Sequence, residues 1–333
     1  MKYIDKIYGN IEITEPVILD LIYSKTLQRL KDIDQAGYQE PYFPDTQLSR
    51  FEHSVGVFSL LKKYGSPIEE QIAGLIHDVS HSAFSHCIDY VLDAGSEKEH
   101  NHQDNVFADY VRNSEIPVIL KKYDIDLEYI LDDKNFPLKE NKLPDLCADR
   151  IDYSLREARV FREIESAQYF LDNLTAENGN WIFDNFESAK SYAELFLKLN
   201  TNYYASLPSA VMFRTVGDYL RYALSKGYIS ENDLYTTDKI VLSKIEPYHN
   251  NDERLGLLFD RMNNKIGFKN DPNDYEAKVF CKSRAVDPLC QEDGAIKRVS
   301  DIEPKWVDII KQELEPKVYF LKFDGFDITH HQS

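Results

Sequence analysis

Apolar residues recur at helical spacing through most of the chain, with a change of character near residue 173 and short alternating stretches from about residue 275. Val17, Ile18, Leu21, Ile22, Leu27, Leu30 and Ile33 share one helical face and predict a helix over 15–35. Gly37, Pro41, Pro44 and Asp45 then predict a loop over 38–49. Val55, Val57, Phe58, Leu60 and Leu61 predict a helix over 50–64, stopped by Gly65-Ser66-Pro67. Pro67 suits the first turn of the next helix, 67–79, whose apolar positions are Ile68, Ile72, Ala73, Leu75 and Ile76. Further helices are expected over 82–93, 102–112, 115–123 and 143–165.

Beyond residue 173 the texture shifts. Asn178-Gly179-Asn180 reads as a turn and Trp181-Ile182-Phe183 as a short strand. Helices are expected over 187–200, 207–226, 236–248 and 304–313, with strands over 276–283 and 317–323. The expected architecture is mainly α, with a helical core over 1–172 and a helical and α+β C-terminal region over 173–333 packed on it. No internal repeat or low-complexity segment is visible.

Composition narrows the class. A chain of 333 residues with 43% hydrophobic and 29% charged positions fits a soluble globular protein. The net charge of −18 disfavours non-specific attraction to nucleic acid or anionic membrane. It leaves room for a nucleotide substrate, because a metal and a few arginines can invert the field inside a pocket. Cys87, Cys147, Cys281 and Cys290 form no CxxC pair and are expected as free thiols, Cys87 and Cys147 as small packing residues. No run of about 18 apolar residues exists, so no membrane span is expected. The first residues lack the apolar core of a signal peptide, and a cytoplasmic location is expected.

The chemistry concentrates in one stretch. Six of the nine histidines, His53, His77, His81, His86, His100 and His102, fall within residues 53–102. His330 and His331 lie in a polar tail and are set aside. An acidic segment, Asp149-Arg150-Ile151-Asp152-Tyr153, follows the histidines. Adjacent helical residues project about 100° apart, so His77 and Asp78 can both reach one ion beside the helix end. With His53 and Asp149 they offer two imidazoles and two carboxylates, a mixed set suited to Mn, Fe, Co, Ni or Zn.

The joint pattern H…HD…D, with a histidine four residues after the first HD member, resembles the HD-domain phosphohydrolases, and more narrowly their dNTP triphosphohydrolase-like branch. The carrying residues are Arg50-Phe51-Glu52-His53-Ser54-Val55-Gly56-Val57, the segment from His77 to His86, and Asp149 to Tyr153. Gln28-Arg29-Leu30, Gln35-Ala36-Gly37 and Lys282-Ser283-Arg284-Ala285-Val286-Asp287-Pro288 resemble further elements of that branch.

The resemblance implies that His53, His77, Asp78 and Asp149 hold a divalent transition metal, with Mg as an additional ion at the substrate phosphates. His81 and His102 would lie near the phosphates, with Asp89 raising the basicity of a histidine for proton transfer. Catalysis would thus involve His81, Asp89 and His102. Arg50, Arg150 and His86 would meet phosphate oxygens, and Gln35 and Tyr153 would approach the sugar. It also implies a homo-oligomer.

The chain departs from the branch at Ser80, Ser82 and Ala83, where glycines and a proline are usual, and at Glu157, where a shorter acid is usual. Tyr23 stands where an activator-binding acid would be, so nucleotide-activated assembly is not carried over. The substrate tyrosine of a later helix finds only Tyr204 as its counterpart. The expected activity is metal-dependent hydrolysis of a nucleotide phosphoester, foremost a dNTP giving deoxynucleoside and triphosphate. The alternatives are a phosphomonoesterase or phosphodiesterase on another nucleotide, and a nucleotide-binding regulatory module without turnover.

Overall fold

The Ser49 hydroxyl accepts from the Glu52 amide at 3.2 Å while the Glu52 carboxylate accepts from the Ser49 amide at 3.0 Å. This reciprocal cap starts the helix Arg50–Lys63 and puts Arg50 and His53, three residues apart, on one face of its first turn. The helix has no solvent side over most of its length, with His53 and nearly every residue from Arg50 to Leu61 buried. Val55 and Phe58 join an apolar cluster with Ile18, Leu21, Ile72 and Leu75. Val57, Leu60 and Leu61 join another with Ile151, Leu155, Trp181 and Phe196. A helix sandwiched in this way needs apolar residues on two faces, as the sequence supplies.

The computed structural model describes residues 1–92 and 101–324; His100, His330 and His331 lie outside them. The architecture is mainly α with small sheets. Helices Ile68–Ile76 and Ala148–Val160 pack on either side of Arg50–Lys63. An N-terminal hairpin, Lys2–Asp5 and Gly9–Glu12, lies at one end. A second apolar layer, built by Leu207–Ser225, Glu253–Met262 and the three-stranded sheet Phe268–Asn270, Lys317–Phe323, Ala277–Cys281, packs against the turn Ser85–Tyr90. A four-stranded sheet adds Leu174–Glu177, Asn180–Phe183, Leu289–Glu292 and Ala295–Arg298, its middle pair parallel through Ile182 opposite Leu289. The Trp181 cluster draws on residues from both sides of position 172.

Three expected elements differ. The helix over 15–35 is broken into Pro16–Ile22, Lys25–Arg29 and a 3-10 turn, because Ser24 turns extended and caps Leu27. The helix over 82–93 is a 3-10 segment, Ser85–Tyr90, entered through Phe84 and Ser85 at φ 61° and 43°. The Ala83 and Phe84 amides are captured by the Leu234 carbonyl and the Asp238 carboxylate, each at 2.7 Å, which holds this left-handed entry. The helix over 143–165 begins only at Ala148, since Pro144 and the pairing of Ala148 N with Leu138 O keep the preceding residues irregular. The hairpin at the N-terminus and the helices Leu127–Leu131 and Glu253–Met262 were not among the expected elements. All four cysteines are free and buried, and no helix of the described residues is long and apolar enough to cross a membrane.

Candidate active site

His53 hangs from the first turn of its helix, His77 and Asp78 lie just past the C-terminus of Ile68–Ile76, and Asp149 sits in the first turn of Ala148–Val160. A helix C-terminus carries partial negative charge and favours a cation beside it. The four side chains converge. His53 Nε2 lies 3.2 Å from His77 Nε2 and 2.9 Å from Asp149 Oδ1. His77 Nε2 is 3.4 Å from both Asp149 Oδ1 and Asp78 Oδ1, and Asp78 Oδ2 is 3.7 Å from His53 Nε2.

The other face of each imidazole fixes its tautomer. His77 Nδ1–H donates to the Gly74 carbonyl at 2.8 Å, and His53 Nδ1–H donates to the Asp152 carboxylate at 2.8 Å. With both rings neutral the two Nε2 lone pairs face one point, which is unfavourable unless a proton or a metal ion lies between them. Burial opposes charge on Asp78, but Arg50 at 2.7 Å and the neighbouring imidazoles hold it well below the usual carboxylate range. Burial likewise opposes charge on Asp149, and His53 and His77 outweigh it. On His53 burial is overcome by Asp149 and Asp152, raising its pKa to about 10. This donor set, two oriented imidazoles with two ionised carboxylates demanding positive charge, fits a divalent metal.

A further layer supports it. Arg156 donates to both Asp152 oxygens, at 3.0 and 2.8 Å, and to Asp5 of the hairpin at 3.0 Å, all buried. Gly56 makes room: a Cβ there would lie 2.1 Å from Arg156 Nη2 and from Asp152 Oδ1. The i, i+4 spacing of Asp152 and Arg156, and a glycine inside a helical pattern, were the available signals for this layer. The contact with Asp5 had none, being remote in sequence.

The converging groups open onto a cleft lined by Arg50, His77, Asp78, His81, Gln103, Asp104, Glu140, Asp149, Arg150 and Arg284. His81 Nε2 lies 3.3 Å from Asp78 Oδ1, and its buried Nδ1 has no protein partner. Burial and the Arg50 charge push the His81 pKa down to about 4. His86 packs edge-on against the His81 ring at 5.2 Å and lines the same cleft.

The expected cations are already engaged. Arg50 holds Asp78 and the Ser85 hydroxyl; Arg150 donates to the carbonyls of Asp145 and Asn141 and to Cys147. Asp89 stands beside a histidine, its Oδ2 3.6 Å from His86 Nδ1, whereas His102 is placed differently from expectation. Asp89 accepts from the His102 backbone amide at 3.1 Å, while the His102 ring meets the Tyr235 hydroxyl at 3.1 Å and is not among the residues lining the cleft. Burial lowers the His102 pKa, against the smaller opposing effect of Asp89, so the expected gain in basicity does not appear.

Beside the cleft lies a chamber that shares Gln35, His86, Tyr153 and Arg284 with it. Its other walls are Gln39, Phe43, Glu157, Phe161, Tyr203, Tyr204 and Phe213. Phe161 and Tyr203 stack at 3.8 Å, with Phe43 edge-on to both. Among the described residues Gln35 Oε1 and Gln39 Oε1 are buried without a hydrogen-bond partner, and the Glu157 carboxyl and the Tyr204 hydroxyl face only each other. Burial pushes the Glu157 carboxyl up to about 7. Gln39, Phe43, Phe161 and Tyr203 were missed in the sequence, where they are scattered loop and helix-end positions.

The family model for the HD domain matches residues 50–156. An uncharacterized protein of Bacillus subtilis, YdhJ, is 38% identical over 325 residues, covering 96% of this chain and 98% of that one. A metal-dependent phosphohydrolase of Cordyceps militaris, cns2, is 37% identical over 52% of this chain and 50% of its own length. A deoxynucleoside triphosphate triphosphohydrolase homologue of Dictyostelium discoideum is 38% identical over 30% of this chain and 22% of its own. A hypothetical protein of Aquifex aeolicus has the same fold, with a TM-score of 0.73, 20% identity and coverage of 97% of this chain and 96% of that one.

Proposed function

Since the chain belongs to the HD-domain family, we propose that it is a metal-dependent phosphohydrolase acting on a nucleotide, foremost a dNTP split into deoxynucleoside and triphosphate. The observation that carries the reading is the meeting of His53 Nε2 and His77 Nε2 at 3.2 Å beside ionised Asp149 and Asp78. His53, His77, Asp78 and Asp149 would hold a divalent metal, which when bound polarises a phosphoryl oxygen and acidifies water. His81 and His86 face the cleft and are the groups to hold or pass a proton there; the role expected of His102 passes to them. Tyr153 and Gln35 stand where the cleft meets the aromatic chamber and would orient a nucleoside, whose base the chamber would receive out of water.

The similarity to cns2, a metal-dependent phosphohydrolase, supports the phosphohydrolase reading, and that to the Dictyostelium triphosphohydrolase homologue supports its dNTP form. A second reading, a monophosphate or diester substrate, draws support from the engagement of Arg50 and Arg150 in internal bonds, which leaves fewer cations for a long phosphate chain. We also propose a cytoplasmic homo-oligomer. The test is metal analysis of the purified protein, with release of phosphate or triphosphate from dNTPs, NTPs, monophosphates and cyclic nucleotides under Mn²⁺, Mg²⁺, Co²⁺ and Ni²⁺. Triphosphate as product selects the first reading and orthophosphate or a monoester the second. Absence of release from every substrate refutes both and leaves a binding module.

A further inference from the structure

The segment between strands Ala277–Cys281 and Leu289–Glu292 has no regular structure, yet it is pinned along its length. The buried Asn200 side chain accepts from the Arg284 amide at 2.9 Å and donates to Ser283 Oγ at 2.9 Å and to Glu313 at 3.0 Å. The Asp287 amide donates to the Pro144 carbonyl at 2.8 Å, and its carboxylate accepts from the Ser300 amide and hydroxyl. Trp306 donates to the Val286 carbonyl at 3.0 Å. Fixing a backbone of irregular shape against three separate elements costs entropy, and what it achieves is the position of a side chain.

That side chain is Arg284. It lines both the metal cleft and the aromatic chamber, at their junction with His86 and Tyr153. Among the described residues its guanidinium has no ion pair and no hydrogen bond, whereas Arg50, Lys139 and Arg150 each face a carboxylate. Lys142 also lines the cleft without an ion pair but is exposed. A half-buried guanidinium with five donors facing a cleft is poised for an anion, and its fork matches two oxygens of one phosphate.

We infer that Arg284 is a substrate-binding residue that grips the phosphate nearest the nucleoside, so that the C-terminal region completes the site. This rests on the phosphohydrolase reading above and deepens it, because a cation at the junction selects ligands whose phosphate is joined directly to the group held in the chamber. Small phosphate esters, which do not reach across the junction, would gain less from it.

The test uses the full chain loaded with Mn²⁺ and freed of excess metal, with inorganic tripolyphosphate as titrant in calorimetry. In Arg284→Ala the Kd for tripolyphosphate is expected to rise about tenfold or more, the scale of a lost charge-assisted pair. Arg284→Lys should recover part of the loss, because it keeps the charge without the fork. An Arg284→Ala protein that binds tripolyphosphate as tightly as the parent overturns the inference, as does a parent that binds none. Should the alanine variant not fold, Arg284→Gln decides on the same criterion. A parent that binds tripolyphosphate through Arg284 but releases nothing from any nucleotide refutes the hydrolase reading and leaves the anion site standing.

Discussion

The metal-side cluster and the aromatic chamber lie next to each other and are built on opposite rules. Around His53 the buried charges answer one another: imidazole by carboxylate, carboxylate by guanidinium, guanidinium by Asp5. In the chamber, among the described residues, Gln35 and Gln39 carry buried polar atoms without a partner, and Glu157 and Tyr204 have only each other. A buried polar group without a partner costs stability, roughly 1–3 kcal/mol each. The first region is therefore preorganised for its own groups, and the second for groups that something else must bring. Chemistry that is the same in every turnover belongs in the first, and recognition in the second.

The largest expected effect comes from breaking the answered side at its centre. His77→Ala removes one of two facing imidazoles, and both metal content and phosphate release should fall, the latter about 10³-fold or more if a Lewis acid supplies several kcal/mol. Full metal content in the folded variant would end the proposed ligand set.

The unanswered side should show itself in stability against pH. Glu157 has a folded pKa of about 7, above its ordinary 4.5, so the folded state holds a proton that the unfolded state releases between these values. Stability is unaffected below 4.5, falls as pH rises from 4.5 to 7, and stays reduced above 7. The loss is roughly 3 kcal/mol for a shift of this size. Glu157→Gln should remove that slope and be more stable than the parent at pH 8 by denaturant unfolding. A parent and variant with parallel pH profiles would mean that the acid is better served than its surroundings imply.

A smaller effect tests the layer behind the ligands. Asp152→Asn keeps the shape but no longer holds His53 in one tautomer by charge, and metal affinity should drop about 10–100-fold, as for other residues that orient a ligand. Competition with a chelator would measure it. The smallest effect belongs to the chamber again. Tyr204→Phe removes a hydroxyl whose partner is the Glu157 carboxyl, so the unfolding free energy should change by no more than about 1 kcal/mol. The KM for the preferred nucleotide should rise. An unchanged KM would remove Tyr204 from recognition and narrow the contrast between the two regions.

The proposed ligands were legible as candidates from residue type and spacing, His77-Asp78 at a helix end and His53 in a capped first turn. Their meeting with Asp149 depends on how three helices pack and is not local. The long helices 50–63 and 207–225 were legible from periodicity, a local signal. What could not be read depends on contacts across the chain. The bend at Phe84 is held by Asp238, and Asp89 pairs with the His86 ring while accepting from the His102 backbone amide. Arg50 and Arg150 were read as anion binders from their residue type, but their internal partners, Asp78 and the carbonyls of the 141–145 loop, exist only in three dimensions.

Asp5 ties the N-terminal hairpin to the proposed metal ligands through Arg156, Asp152 and His53. Trimming by a protease at the hairpin would remove neither His53 nor Asp152, yet it would take away one of the two carboxylates that hold Arg156 and leave the guanidinium to Asp152 alone. A cut at the periphery would thus loosen the support of the centre without touching it.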